Sequence, residues 1–273
     1  FIFIKLSVSS IHPILLTCYR LFIASAFLLF FCNKEKIKNI FLQKKKDLLI
    51  IGLLGNVIPF NLISWSQLYV ESIVASTLIG TMPLFTFLIS FFYFKAPMKT
   101  RVIFGLVLGF LGMIIFLDPK SIFFYNNSFL FSGFIIFSAI FYAFSANWVK
   151  TLKDESSFEL ACCSIAVAAF LTLPLVIALL IHRDFEINNL IANITIDSLV
   201  SATILGVFCT GLAISVFFNL IKNKSPVFAS QSNYLIPCFG FLWSYIFLDE
   251  TLTTNLFIGF LLIVSGGLLV NKQ

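Results

Sequence analysis

Nine long apolar runs, separated by short connections that hold most of the charge, constrain this chain more than any single residue does. They are Pro13 to Cys32, Leu48 to Val70, Ser72 to Phe94, Val102 to Leu117, Phe129 to Val149, Leu160 to Ile181, Leu199 to Ile221, Pro226 to Leu248 and Leu256 to Val270. A helix crossing the hydrocarbon core needs about 20 mostly apolar residues, and each run suffices with some tilt and snorkelling ends. No soluble core accommodates this pattern: 60% of the 273 residues are hydrophobic and 11% are charged, against roughly 25% charged in an ordinary soluble domain. The opening run, Phe1 to Val8, would rise only about 12 Å as a helix. It reads as the tail of a truncated first helix, so the expected fold is all-α and integral to the membrane, with ten helices.

The net charge of +6 does not point to nucleic acid, because the basic residues lie between apolar runs and form no basic face on a soluble module. If the N-terminus is cytoplasmic, the inside connections hold Lys34, Lys36, Lys38, Lys44, Lys45, Lys46, Lys95, Lys99, Arg101, Lys150, Lys153, Lys222, Lys224 and Lys272, and the outside ones hold Lys120 and Arg183. That bias matches retention of Lys and Arg on the cytoplasmic side. It predicts a multi-pass protein of the inner, cytoplasmic membrane with its C-terminus in the cytoplasm. All six cysteines sit in or beside apolar runs, where a thiol fills space as a small apolar group. Neither a disulfide framework nor a metal site is implied, and no cofactor motif is visible.

Shifting the sequence by 154 residues aligns two helix pairs without gaps. Ala75, Ser76, Pro83, Phe85, Phe87, Leu88, Ser90, Thr100, Gly105, Leu108 and Gly112 recur as Ala229, Ser230, Pro237, Phe239, Phe241, Leu242, Ser244, Thr254, Gly259, Leu262 and Gly266, and Gly52 recurs as Gly206. Proline and glycine in register are not explained by shared greasiness. Five helices per half is odd, so the second half would enter the bilayer inverted. The charges agree: Lys95, inside, matches Asp249, outside, while Asp118, outside, matches Lys272, inside. The predicted division is residues 1–118 for the first repeat, 119–127 for an outside linker and 128–273 for the second.

In this arrangement the chain resembles the EamA family of the drug/metabolite transporter superfamily. The resemblance is carried by His12-Pro13 to Arg20, the Ala75-Ser76 to Pro83 helix, the Gly105 to Gly112 helix, and their second-half counterparts ending in Leu248-Asp249-Glu250 and Gly259 to Gly266. It implies ten helices as two inverted five-helix repeats, with a central cavity and export or exchange of amino acids and related metabolites. Some similar proteins import S-adenosylmethionine, which keeps a nucleotide-type metabolite importer as an alternative. The first helix departs from the family's usual full-length start, so site residues carried there cannot be transferred.

Polar side chains inside hydrocarbon must pair or face water, which makes them functional candidates. Arg20 lies about 10 Å into its helix. It reads either as an anion-binding or gating charge, or as a structural tie to neighbouring carbonyls. Lys5, nearer an interface, reads as snorkelling. Asn61 and Trp65, four apart, share a helix face and offer a wall for an amino or aromatic group; Trp65 and Tyr69 read equally well as interfacial anchors. Ser230, Asn233, Tyr234 and Pro237 form one stripe, matched by Ser76, Thr77, Gly80 and Pro83 in the first half. Paired proline-interrupted helices point to a midplane site, although small residues also serve close packing. Tyr142 and Asn147 are further substrate-binding candidates. No Asp or Glu lies mid-span, which disfavours a carboxylate proton relay and raises uniport or exchange.

These features predict a secondary transporter of a small polar metabolite working by alternating access, with the lipid bilayer and a small-molecule substrate as partners. A homodimer stays open as an assembly. An integral membrane lipid-handling enzyme is disfavoured, since His12 and His182 are far apart and catalytic carboxylate pairs are absent. A nonfunctional fragment is the third alternative.

Overall fold

The structure, a computed structural model, describes residues 1–97, 99–117, 129–181, 193–236, 238–239 and 254–271. The described residues are helical with no strand. They form α1 (Ile2–Val8), α2 (Pro13–Phe31), α3 (Lys34–Gln43), α4 (Lys45–Gly52), a π-helical segment (Leu53–Val57), α5 (Ile58–Ser66), α6 (Ser72–Ile79), α7 (Met82–Phe92), α8 (Thr100–Leu117), α9 (Phe129–Thr151), α10 (Ser157–Ile181), α11 (Ile196–Gly206), a second π-helical segment (Val207–Leu212), α12 (Ala213–Asn223), α13 (Pro226–Ser230) and α14 (Thr254–Asn271). Among the described residues, six stretches are long and apolar enough to cross a bilayer: Pro13–Phe31, Lys45–Ser66, Val74–Phe92, Phe129–Thr151, Ser157–Ile181 and Ile196–Asn223. Thr100–Phe116 and Phe257–Asn271 are shorter apolar helices. Large side chains such as Phe30, Phe104 and Phe170 lie exposed on the outer surface, as expected where lipid, not water, is the solvent.

Local chemistry sets the helix starts. Pro13 and Pro226 occupy first-turn positions where a missing N–H costs nothing. His12, Thr195 and Ser225 accept hydrogen bonds from first-turn amides of α2, α11 and α13. Two expectations change. The basic connection after α2 is itself a helix, α3, capped by Asn33 through the amides of Glu35 and Lys36. The run from Ser72 to Phe94 is interrupted at Gly80-Thr81, with Pro83 in the first turn that follows. A proline there lacks the N–H needed to continue the preceding helix's hydrogen-bond ladder.

The closest helix pairing is α8 against α14. A side chain at Gly105 would collide with the Gly266 carbonyl, one at Gly112 with the Gly259 carbonyl, and the reverse holds for each partner. The contacts run in opposite order along the two helices, so they are antiparallel, and only glycine permits the backbones to approach this closely. Elsewhere α2 packs on α10, α11 and the second π segment, while α10 packs on α2, α4 and the first π segment. The innermost layer is small: Ala139, Ala143, Ala161, Cys163, Ala202 and Ala229 are fully enclosed among Leu16, Ile51 and Ile135.

Candidate functional site

The two π segments begin directly after Gly52 and Gly206, glycines 154 residues apart. A side chain at Gly52 would meet the Ser164 carbonyl of α10, and one at Gly206 the Arg20 carbonyl of α2. A wider turn leaves backbone carbonyls without their usual partners, and π bulges concentrate at functional sites for that reason. Each segment here supplies a local remedy. The Thr210 hydroxyl donates to the Leu205 carbonyl at 2.8 Å, and the Asn56 amide donates to the Ile51 carbonyl at 3.5 Å, five residues back in both cases.

Arg20 enters from α2 and is 4% exposed. Its Nε and Nη2 donate to Thr210 Oγ1 at 3.1 and 2.8 Å. The guanidinium carbon lies 3.8 Å from the centroid of the Phe60 ring, a cation–π contact that desolvation strengthens. Tyr142 of α9 meets the edge of that ring at 6.2 Å and stands within electrostatic reach of the guanidinium. The site therefore gathers α2, the second π segment, α5 and α9. Among the described residues no salt bridge joins Arg20 to a carboxylate, and Nη1 has no hydrogen-bond partner. The tie expected to neighbouring carbonyls is instead to a threonine hydroxyl.

Of the other predicted positions, Asn61 and Trp65 lie on α5 beside this cluster. Asn61 Nδ2 donates to the Val57 carbonyl at 2.8 Å, and its Oδ1 is buried without a partner. Trp65 is partly exposed and meets His12 edge-on at 5.6 Å. Burial holds the His12 imidazole below its ordinary pKa of 6.5, favouring the neutral ring that caps α2. Asn147 is fully engaged elsewhere: it donates to the Thr86 and Ala143 carbonyls at 3.2 and 2.9 Å and accepts from the Ser90 hydroxyl, tying α9 to α7.

From the second proline stripe, Asn233 Nδ2 lies 3.2 Å from Sδ of Met82, the residue before Pro83. Ser230 is fully buried and donates to the Val227 carbonyl, and Thr77 and Pro83 are also buried. Tyr234 packs its ring against Gly109 of α8 and points its hydroxyl at the Leu106 carbonyl, 3.5 Å away. Pro237, Asp249, Glu250, Asp118, Lys120, His182, Arg183 and Lys272 lie outside the described residues. Sequence reasoning missed Thr210, Phe60, Thr17, Ser64 and Gln231. Gln231, 7% exposed at the interruption after α13, has both amide atoms without a partner. Its position matches Thr77 at the 154-residue shift, a signal present in the sequence.

Lys5 does not snorkel. Its Nζ donates to the Gln67 carbonyl at 2.6 Å and approaches that of Val70 at 3.5 Å, capping the end of α5. Lys150 caps α12 in the same way through Ile221, Lys222 and Lys224 at 3.0, 2.7 and 2.8 Å. Ammonium groups at helix C-termini complement the negative end of the helix dipole. Among the described residues no cluster of metal-ligating side chains occurs.

Comparison with known proteins places this geometry. The EamA-like transporter family pattern matches residues 1–117 and 131–272. An uncharacterized transporter of Bacillus subtilis, YoaV, is 26% identical over 267 residues, covering 96% of this chain and 88% of its own. An uncharacterized transporter of Buchnera aphidicola from Schlechtendalia chinensis is 27% identical over 250 residues, covering 87% and 76%. A solved crystal structure with 15% identity shares the fold at a TM-score of 0.72, covering 100% of this chain and 95% of its own. The chain belongs to the EamA-like transporter family, as a multi-pass membrane transporter and not an enzyme.

Proposed function

We propose that this protein is a secondary carrier that moves a small polar metabolite, an amino acid or related compound, across the cytoplasmic membrane by alternating access. Two five-helix repeats of opposite orientation, residues 1–118 and 128–273, enclose the substrate around Arg20, and the C-terminus is cytoplasmic. The observation that carries this reading is the bond between halves: Arg20 of the first is held by Thr210 in the π segment of the second. Rocking one repeat against the other would act on this contact directly. The reciprocal glycine contacts of α8 and α14 and the lysine caps of α5 and α12 support the inverted relation. Asn61, Trp65 and Tyr142 border the binding region. Thr77, Pro83, Ser230, Asn233 and Tyr234 belong to the helices that move around it.

The test is flux. Proteoliposomes holding the purified chain and a mixture of polar metabolites are compared with empty vesicles by mass spectrometry of the lumen. Saturable loss of a small set of compounds is expected; equal retention of all of them rejects the carrier reading. Cysteine labelling placing Lys44 to Lys46 and the loop at 249 on one side rejects the inverted repeats.

A further inference from the structure

The cations set into the bundle are treated in two ways. Lys5, Lys150 and Lys222 direct their ammonium groups to backbone carbonyls at helix ends or in a connection. Arg20 instead faces uncharged groups, a threonine hydroxyl and an aromatic face. Thr210 Oγ1 accepts twice from Arg20 and donates to Leu205, so its capacity is filled. A guanidinium has five N–H donors, and Thr210 engages the Nε side. The opposite edge, Nη1 with the second hydrogen of Nη2, is the planar fork that a carboxylate grips with two parallel bonds.

A second observation lies along the same helix pair. Arg20 meets Phe60, and His12 meets Trp65, so α2 and α5 run antiparallel between these contacts. Thr17, three residues before Arg20, shares its face, and Ser64, four residues after Phe60, shares that one. Thr17 and Ser64 are fully buried, and Thr17 Oγ1, Ser64 Oγ and Asn61 Oδ1 are enclosed without a hydrogen-bond partner. Native interiors leave few such atoms unsatisfied. Helix register brings these three to the stretch of α2 and α5 that also holds the uncompensated guanidinium. The hydroxyls can donate or accept, whereas Asn61 Oδ1 only accepts and calls for a donor on the ligand.

Resting on the carrier reading above, we propose that this site recognises a small monocarboxylate bearing a hydroxyl or amino donor close to its carboxylate. The carboxylate docks on the free edge of Arg20 and the donor on Asn61 Oδ1, with Thr17 and Ser64 bonding the remaining polar atoms. One buried charge fits one carboxylate. A phosphate ester or dicarboxylate would bring a second negative charge, and Arg20 is the one side-chain cation assigned to this cluster among the described residues, which makes that charge costly away from water.

Matched acid and amide pairs test this on the full chain in detergent, with thermal stabilisation as readout: lactate against lactamide, alanine against alanine amide, and propionate as the acid without a donor. Each acid is expected to bind at least tenfold more tightly than its amide, and lactate or alanine more tightly than propionate. Arg20→Gln erases the acid preference, and Arg20→Lys, which keeps the charge, retains it with weaker binding; this pair separates recognition from a folding defect. Asn61→Leu levels lactate with propionate while both keep their advantage over amides. Lactate and alanine together distinguish hydroxy acids from amino acids. Amides binding as tightly as acids, an acid preference surviving Arg20→Gln, or no stabilisation by any of these acids overturns the proposal. If metabolite flux persists in that case, the substrate class alone falls.

Discussion

The π segments Leu53–Val57 and Val207–Leu212 share a glycine entry, a wide turn and a side chain bonded five carbonyls back, yet they hold different chemistry. In the second segment Thr210 receives a guanidinium from α2. In the first, Asn56 occupies the matching position with Oδ1 buried and unpartnered, while Gly52 at the segment's entry rests on the carbonyl of Ser164, whose hydroxyl bonds within its own helix. The lysine caps repeat the lesson: they meet carbonyls at matching positions, but Lys150 reaches three and Lys5 only two. Backbone openings 154 residues apart share one form. The side chains that meet them decide which one carries charge.

The comparison can be broken at four points. The largest effect is expected where the halves are most alike. Gly112→Val and Gly259→Val each force a side chain into the opposing backbone and should cost about 3 kcal/mol or more by overpacking, measured as thermal unfolding in detergent. Equal losses sharpen the symmetry, and tolerance of either one breaks it. Next come the π segments. Thr210→Val strips a charged donor of its acceptor and should cost about 2 kcal/mol. Asn56→Val removes an unpartnered acceptor together with one long bond to the Ile51 carbonyl, and should cost less than about 1 kcal/mol. A cost for Asn56→Val equal to that for Thr210→Val would erase the distinction between the two openings.

Smaller effects follow at the caps. Lys150→Met should cost about 1 kcal/mol through the lost dipole and carbonyl contacts, with faster amide exchange at the end of α12; Lys5→Met should cost less. The smallest concerns His12. Its folded pKa lies below its unfolded 6.5, so the unfolded chain binds the proton more readily. The stability contribution is complete above pH 6.5 and is lost as pH falls through the folded value. His12→Asn, which keeps a cap acceptor, should flatten that decline in thermal stability between pH 7 and 5. An unchanged slope would show that another group sets it.

Much of the scaffold was legible in residue order because the bilayer demands long apolar helices and glycine or proline at fixed positions. Gly105, Gly112, Gly259 and Gly266 stood in register at the 154-residue shift, although only the structure shows that α8 and α14 meet there, and Arg20 stood out as a charge where none is cheap. The helix over Lys34–Gln43 was missed because its one buried side chain, Ile40, gives too faint a periodicity among lysines. Asn147 read as a further substrate-binding candidate, and its bonds to Thr86 and Ser90, which tie α9 to α7, could not be read because those partners lie about sixty residues away in sequence.

By itself, then, the sequence determined a membrane-embedded helical chain with duplicated glycines, prolines and charges, because hydrophobic length and backbone freedom are local properties. Only the tertiary structure decided that Arg20 faces Thr210 and Phe60, that Lys5 caps α5, and that Thr17, Asn61 and Ser64 each bury a polar atom without a partner. Those facts depend on which helix faces join, and that is settled by packing between residues up to 190 positions apart.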